Sequence, residues 1–395
     1  MRVDKKSPRC WYYFSRTLFN IVIGTILLSF RPKKKSKKLR IILFGHRLNG
    51  NIKALLDYVK REKLNDVEVS FIAIDKRYYK LLKNEDKKLK VLSSQHLLDV
   101  LYLLQSDVIV STHGPSIFLL IRKLGLKKPK FVEVSHGIGY KGFVPKDWKY
   151  YHFYDKIFAS SRYHKRFYVE RWGFKDSQVV PTGWGRVDYY FNNTLDKNQL
   201  LTKYNISDKY KSIVLIAPSH KLDDKNRKIF PFGITAEDFF VLMEKIGKEK
   251  NTLFIFRIHI NTEFDIKKQY DHIRFLPHKD YPLTYELLYI TDILIDDWSS
   301  ISNDYITLNR PIIFLDVKAP FKNGFTLTPS ERVGYLVNNI EDMEKTLKHC
   351  IDHPKEFSAK FKDKRKKFLK KIYDDSLDGK SAARYLEVIR AMVKK

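Results

Sequence analysis

From residue 39 onward, short apolar runs alternate with stretches whose apolar positions recur at helical spacing. Runs of strand length fall at 39–45 (LRIILFG), 67–74 (VEVSFIAI), 107–111 (DVIVS) and 130–135 (KFVEVS). Between them, 52–59, 78–83, 95–104 and 116–124 have the spacing of helices. Near residue 211 the pattern starts again, with strands at 212–217, 252–258, 292–296 and 312–315 and helices at 237–247 and 285–289. Unbroken apolar runs suit strands covered on both faces, and their alternation with helices predicts an α/β fold with parallel sheets. Two similar halves, each opening on an apolar strand, predict two Rossmann-like domains facing a cleft. The polar stretch 197–211 is the expected linker. The expected organisation is therefore an anchoring segment over 1–38, a first domain over 39–196, a second over 197–377, and a final helix in 378–395 that crosses back to the first. A chain of 395 residues has room for both domains.

Residues 11–30, WYYFSRTLFNIVIGTILLSF, are the candidate membrane segment. Arg16 and Asn20 interrupt it, so its most continuous apolar part, 18–30, falls short of the roughly 20 residues a spanning helix needs. Lys5, Lys6 and Arg9 precede it, and Arg31, Lys33, Lys34, Lys35, Lys37 and Lys38 come after. A spanning helix would put one basic cluster on the disfavoured side of the bilayer. A helix lying in the interface lets both meet anionic headgroups, which predicts an N-terminal membrane-associating helix and a peripheral protein on the cytoplasmic face of the cell membrane. An uncleaved signal-like segment and a true span are the competing readings; no small-residue cleavage site follows the segment.

Charge sharpens this picture. The formal net charge is +30, and residues 1–40 hold twelve Lys or Arg against the single acid Asp4. A second basic run, KFKDKRKKFLKK, occupies 360–371. Such a chain must meet an anionic partner, and with no RRM, KH or zinc-finger pattern, membrane headgroups are preferred to nucleic acid. The two cysteines, Cys10 and Cys350, have neither metal-ligand spacing nor a disulfide framework, which points to a reducing compartment.

Candidate chemistry centres on 290–316, ITDILIDDWSSISNDYITLNRPIIFLD, which reads as strand, turn, helix and strand. Ser299 and Ser300 at the start of that helix offer hydroxyls and unpaired backbone N–H groups at the positive end of the helix dipole, a setting for phosphate. A simple capping role fits the same serines. Asp304, four residues beyond Ser300, would share its helix face. Ligands of open parallel sheets bind beyond the carboxyl ends of the strands. Three further groups fall there: His136 in SHGIGYKG with Lys141 just beyond, Arg257 with His259, and Arg186 with Asp188 in TGWGRVD. Singly, a turn histidine is structural and an arginine pairs with a surface acid.

Taken together and in order over about residues 40–350, SHGIGYK (135–141), TGWGRVD (182–188), FRIH (256–259) and DDWSSISNDYITLNRPIIFLD (296–316) resemble the recurring motifs of the CDP-glycerol glycerophosphotransferases that prime and polymerise teichoic acids. The resemblance implies a GT-B fold, a CDP-polyol held mainly by the second domain, and a lipid-linked glycan acceptor reached from the membrane. It implies transfer of a polyol phosphate, with glycerol phosphate foremost, in teichoic acid or capsule synthesis. His136 is the expected base, and His259 the second catalytic candidate. With Arg257, Ser299 and Ser300, His259 would hold the pyrophosphate, Asp304 the ribose or the serine turn, and Lys141 a phosphate; Arg186 and Asp188 complete the substrate-binding set. Positive side chains can neutralise the phosphates, so no cofactor and no obligatory cation are expected. The match has departures. The family's R-x-H-P reads Arg257-Ile258-His259-Ile260, its T-G-x-P-R-N-D reads TGWGRVD, and Pro218-Ser219-His220-Lys221 stands where an aromatic and an arginine are usual, which leaves the polyol open. A GT-B glycosyltransferase using a nucleotide sugar is the alternative enzyme, and a basic membrane scaffold the non-enzymatic one.

Overall fold

The computed structural model describes residues 7–30, 37–112, 117–124, 129–134, 137–219, 224, 227–257, 268–278 and 280–393. His136 and His259 lie outside the described residues, as do His220 and Lys221 and most of the basic flanks at 1–6 and 31–36. The chain forms two compact units. Met1–His136, Pro145–Asp188 and Lys380–Lys395 make the first, and Gly137–Val144 with Tyr189–Gly379 the second.

In the first unit, β1 (Leu39–Phe44), β2 (Val67–Ala73), β3 (Lys90–Ser93), β4 (Val108–Ser111), β5 (Lys130–Val134), β6 (Lys156–Ala159) and β7 (Val179–Pro181) form one sheet in the order β3-β2-β1-β4-β5-β6-β7. All its pairings are parallel. Ile41, Ile42 and Leu43 are fully buried in succession, because helices cover both faces; each such side chain contributes about 1.5–3 kcal/mol. On one face, Ile52, Leu55 and Leu56 of helix Gly50–Arg61 join Tyr385, Leu386 and Ile389 of helix Ser381–Val393 in a single core.

Helix Pro8–Ser29 also packs on this unit, and by its polar side. Thr17 Oγ1 lies 2.7 Å from Ser94 Oγ, and Asn20 Nδ2 donates to the Ser94 carbonyl at 2.9 Å. A Cβ at Gly24 would stand 2.8 Å from Leu104 Cδ1, so the helix packs closely there and a larger residue would make the Leu104 side chain move. Asn20, an interruption when the segment is read for hydropathy, is thus a buried docking residue. The opposite side leaves Tyr12, Phe19, Ile26 and Phe30 exposed. No helix among the described residues is long and apolar enough to cross a membrane.

The second unit holds β8 (Ser212–Ile216), β9 (Thr252–Phe256), β10 (Ile273–Phe275), β11 (Ile293–Asp296), β12 (Ile312–Leu315) and β13 (Tyr335–Val337), again all parallel, in the order β10-β9-β8-β11-β12-β13. Val214, Ile216, Phe254, Ile295 and Ile313 pack with Met243 and Leu347 in its core. Strand order reverses direction between β8 and β11, so the crevice of this sheet opens where those two strands end.

The parallel α/β reading holds. Five strands escaped it: β3, β6, β7, β10 and β13 have three or four residues each, and in most a lysine, arginine or proline breaks the apolar run by which the equally short β4, β11 and β12 are read. The helix expected over 116–124 is instead a 3₁₀ turn, Ile117–Leu119, running into the four-residue helix Leu120–Lys123.

Candidate active site

At the crevice of the second unit, β11 ends in Asp296 and the chain turns through Asp297, Trp298, Ser299 and Ser300 into helix Ile301–Tyr305. Asp297 fixes the turn to the neighbouring strand, because its Oδ1 accepts from the backbone N–H of Ser219, just past β8, at 2.9 Å. The same carboxylate accepts from the Trp298 N–H and pairs with Arg227, whose Nη1 reaches the Lys318 carbonyl beyond β12 at 3.2 Å. Trp298 Nε1 donates to the Val317 carbonyl at 2.9 Å, and the Arg332 guanidinium lies 3.6 Å over the indole while donating to the Asp297 carbonyl at 2.9 Å. Three strand ends therefore grip one turn.

Helix Ile301–Tyr305 has only five residues before a 3₁₀ turn, Ile306–Leu308, which limits any dipole. Capping does not consume the serines either. The Ser300 side chain makes no capping hydrogen bond, and Ser299 Oγ accepts only a long 3.4 Å contact from Ile301 N–H. Both serines are half-buried, so their hydroxyls remain available in the crevice. Around the turn, Ser219 Oγ, Arg227 Nε and Arg332 Nε are buried without a hydrogen-bond partner among the described residues. Buried donors left over in this way are uncommon, and they suit an anion with several acceptor oxygens. Beneath the turn, burial first and then the charge of Asp297 push the Asp296 carboxyl well above the usual range, towards its neutral form, against the pull of Ser302 and Arg332.

Residues 137–144, the glycine-containing stretch directly after His136, are seated on this turn. The Ile138 carbonyl accepts from Asn303 Nδ2 at 2.7 Å, and Tyr140 packs edge-on to Trp298 with ring centres 5.9 Å apart. A Cβ at Gly139 would stand 3.3 Å from Ser300 Cβ. Lys141 bridges to Phe325, its carbonyl accepting from Thr326 Oγ1 at 2.8 Å, and Gly142 N–H donates to the Gly324 carbonyl at 2.8 Å.

The other candidate residues of the sequence have partners of their own. Arg257 is buried at the end of β9, where it donates to the Leu276 and Tyr281 carbonyls at 3.1 and 2.8 Å and to Thr284 Oγ1 at 2.9 Å; burial lowers its pKa to about 10. Asp304 Oδ1 lies 3.1 Å from the Tyr373 hydroxyl. Arg186 and Asp188 belong to the first unit. There Asp188 accepts from Ala382 N–H at 2.8 Å at the start of helix Ser381–Val393, and the Arg186 guanidinium lies 4.4 Å from the Trp184 ring. In the same motif Gly185 N–H donates to the Tyr385 hydroxyl at 2.8 Å, and a Cβ there would meet Ala54 Cβ at 2.9 Å. The structure thus keeps Ser299 and Ser300 on one turn, puts Lys141 further along the stretch seated on it, against Phe325 and Thr326, and puts Arg186 and Asp188 in a helix-docking motif. Sequence reasoning missed Arg227, Tyr140 and Arg332. The Asp296-Asp297 doublet was a visible signal, but nothing marks Arg332, an isolated arginine that reaches the turn only in three dimensions. Among the described residues no group of three or more His, Cys, Asp or Glu is placed to hold a metal ion.

The sequence profile of the CDP-glycerol:poly(glycerophosphate) glycerophosphotransferase family matches residues 25–391. The chain belongs to that family. Among curated relatives it is 28% identical over 241 residues to the teichoic acid poly(ribitol-phosphate) polymerase of Bacillus spizizenii, covering 60% of this chain and 37% of the relative. It is likewise 28% identical over 237 residues to the teichoic acid glycerol-phosphate primase of Bacillus subtilis, covering 55% of this chain and 58% of that one. The chain thus spans about a third to three fifths of the length of these relatives. The solved structure of the wall teichoic acid polymerase TagF aligns over 98% of both chains at 17% identity with a TM-score of 0.72, which shows a shared fold.

Proposed function

We propose that this family member transfers a polyol phosphate, glycerol phosphate or ribitol phosphate, from a CDP-polyol to a hydroxyl of a lipid-linked glycan or growing teichoic acid chain, releasing CMP. The acceptor oxygen attacks the distal phosphorus of the diphosphate, the bond from that phosphorus to the bridging oxygen breaks, and CMP leaves with the electron pair. His136 takes the hydroxyl proton, and His259, Arg257, Ser299 and Ser300 hold the diphosphate. Lys141, Arg186 and Asp304 complete the substrate contacts, and Asp188, expected among them, instead holds the start of helix Ser381–Val393 beside Arg186. Relatives named for ribitol and for glycerol both occur, and either polyol phosphate fits this transfer.

One observation carries it above all: the stretch that comes after His136 lies against Ser300, within 3.3 Å of where a Cβ at Gly139 would be. His136 is the residue next in sequence to that stretch, which is what supports pairing the proposed base with the proposed phosphate hydroxyls. Helix Pro8–Ser29, with its apolar side outward, is the anchor that brings the protein to an anionic bilayer and so to a lipid-linked acceptor.

The test is donor turnover with a lipid-linked acceptor. CDP-glycerol or CDP-ribitol should release CMP, and His136→Ala should lower kcat about a hundredfold with the thermal midpoint retained. Release of UDP from UDP-sugars, with none of CMP, would overturn the assignment.

A further inference from the structure

The first unit has a cavity that phosphoryl transfer does not use. About 550 Å³ in volume, it lies where the start of helix Pro8–Ser29 meets the turns after β2 and β3, and Arg9, Tyr12, Arg16, Lys76, Gln95 and His96 line it. No carboxylate is among the lining residues. Two acids stand behind the lining: Asp75 caps helix Lys76–Glu85 by accepting from Arg77 N–H at 2.6 Å and also acts on the charge of Arg9, and Asp99 accepts from Ser93 N–H at 2.9 Å while facing His96 Nδ1 at 3.4 Å. The Arg9 guanidinium is held in place by two hydrogen bonds to the Tyr13 hydroxyl, at 3.2 and 3.1 Å.

Two of the lining residues also belong to the outward stripe of the helix. Tyr12, Phe19 and Ile26 recur at intervals of two helical turns, 63%, 54% and 49% exposed, and Phe30 continues the line at 83%. Arg16, which also lines the cavity, stands between Tyr12 and Phe19 with its guanidinium 5.8 Å from the Phe19 ring, so its charge lies where the cavity meets the stripe. A free anion would satisfy the cavity and leave the stripe bare. A neutral hydrocarbon would do the reverse. One molecule with a phosphate at one end and acyl chains at the other satisfies both.

We propose that this cavity binds the phosphate of an anionic membrane phospholipid, whose acyl chains lie along Phe19, Ile26 and Phe30. The proposal rests on the anchoring part of the reading above and deepens it, from a general attraction to a seat for a single lipid. Arg9, Arg16 and Lys76 supply charge to the phosphate, and Tyr12 lies at the level of the glycerol backbone.

The experiment uses the full chain and monomeric dihexanoyl phosphatidylglycerol below its micelle concentration, with binding followed by thermal shift and ³¹P line width. Wild type should bind saturably and more tightly than it binds inorganic phosphate. R9Q/K76Q should lose roughly tenfold or more in affinity, whereas K364Q/K367Q, which removes the same charge from the exposed face of helix Lys362–Tyr373, should bind as wild type does. Lack of saturation in wild type, equal binding by R9Q/K76Q, or equal affinity for inorganic phosphate overturns the lipid seat. Sedimentation with phosphatidylcholine–phosphatidylglycerol vesicles separates the two readings: a wild type that binds vesicles but no monomeric lipid keeps the anchor and loses the seat, and one that binds neither loses both.

Discussion

Asp188 is 6% exposed beneath the first turn of helix Ser381–Val393, and burial, partly opposed by hydrogen bonds from Ala382 and Ser381 and by the charge of Arg384, raises its pKa to about 6. An unfolded aspartate releases its proton near pH 4, so across the window from about pH 4 to 6 the folded state still holds a proton that the unfolded chain has lost, and stability falls as pH rises. Asp188→Asn keeps an oxygen for the Ala382 N–H and removes the titration. Urea unfolding of the variant should show a flatter pH profile between those limits and a gain on the order of 2–3 kcal/mol at pH 7; a profile parallel to wild type would refute this. The pair Arg186 and Asp188 also shows where residue-level reading stops. TGWGRVD was visible as a motif, but its aspartate meets Ala382, which is far along the chain, and no local pattern could reveal that partner. Ser299 and Ser300 were legible because strand, turn and helix lie within one short window.

For whole elements, the segment 137–144 separates two kinds of glycine. A Cβ at Gly142 would fall 2.1 Å from the Asn323 carbonyl oxygen, a backbone atom that cannot step aside, whereas one at Gly139 meets Ser300 Cβ at 3.3 Å and asks for a shift of a few tenths of an ångström. Gly142→Ala should therefore undock the segment with its buried Tyr140, lowering stability by about 2–4 kcal/mol and abolishing transfer. Gly139→Ala should stay within about 1 kcal/mol of wild type in stability and lose transfer several-fold. Paired thermal-melt and turnover measurements check both, and equal behaviour of the two variants would break the distinction. The long central strands were readable from apolar runs because a buried parallel strand needs no alternation. The helix after the serines was readable in position but not in length. Its early 3₁₀ turn ends at Asn309, left-handed with φ 55°, and asparagine permits such a stop without requiring one.

On the scale of the molecule, each unit is assembled from separate stretches of chain. Tyr385, Leu386 and Ile389 fill the core of the first unit, and none of them contributes to the core of the second. Removing residues 380–395 should therefore weaken the first unit by more than about 3 kcal/mol, the scale of losing several buried side chains, and leave the second nearly unchanged. Urea titration by circular dichroism should then resolve an early transition absent from the intact protein; a single shifted transition would mean that the units unfold as one. The alternation of strands and helices gave this scale its fold class, while the return of the last helix lay in its apolar spacing alone.

That return matters during biosynthesis. A ribosome makes β1 to β7 first, but the helix that closes their core leaves the exit tunnel only after the whole of Tyr189–Gly379. Throughout that interval the apolar seat for Tyr385 and Ile389 stands open in the nascent chain, an invitation to chaperones and a reason for front-to-back maturation, the usual order of domain folding, to be inverted here.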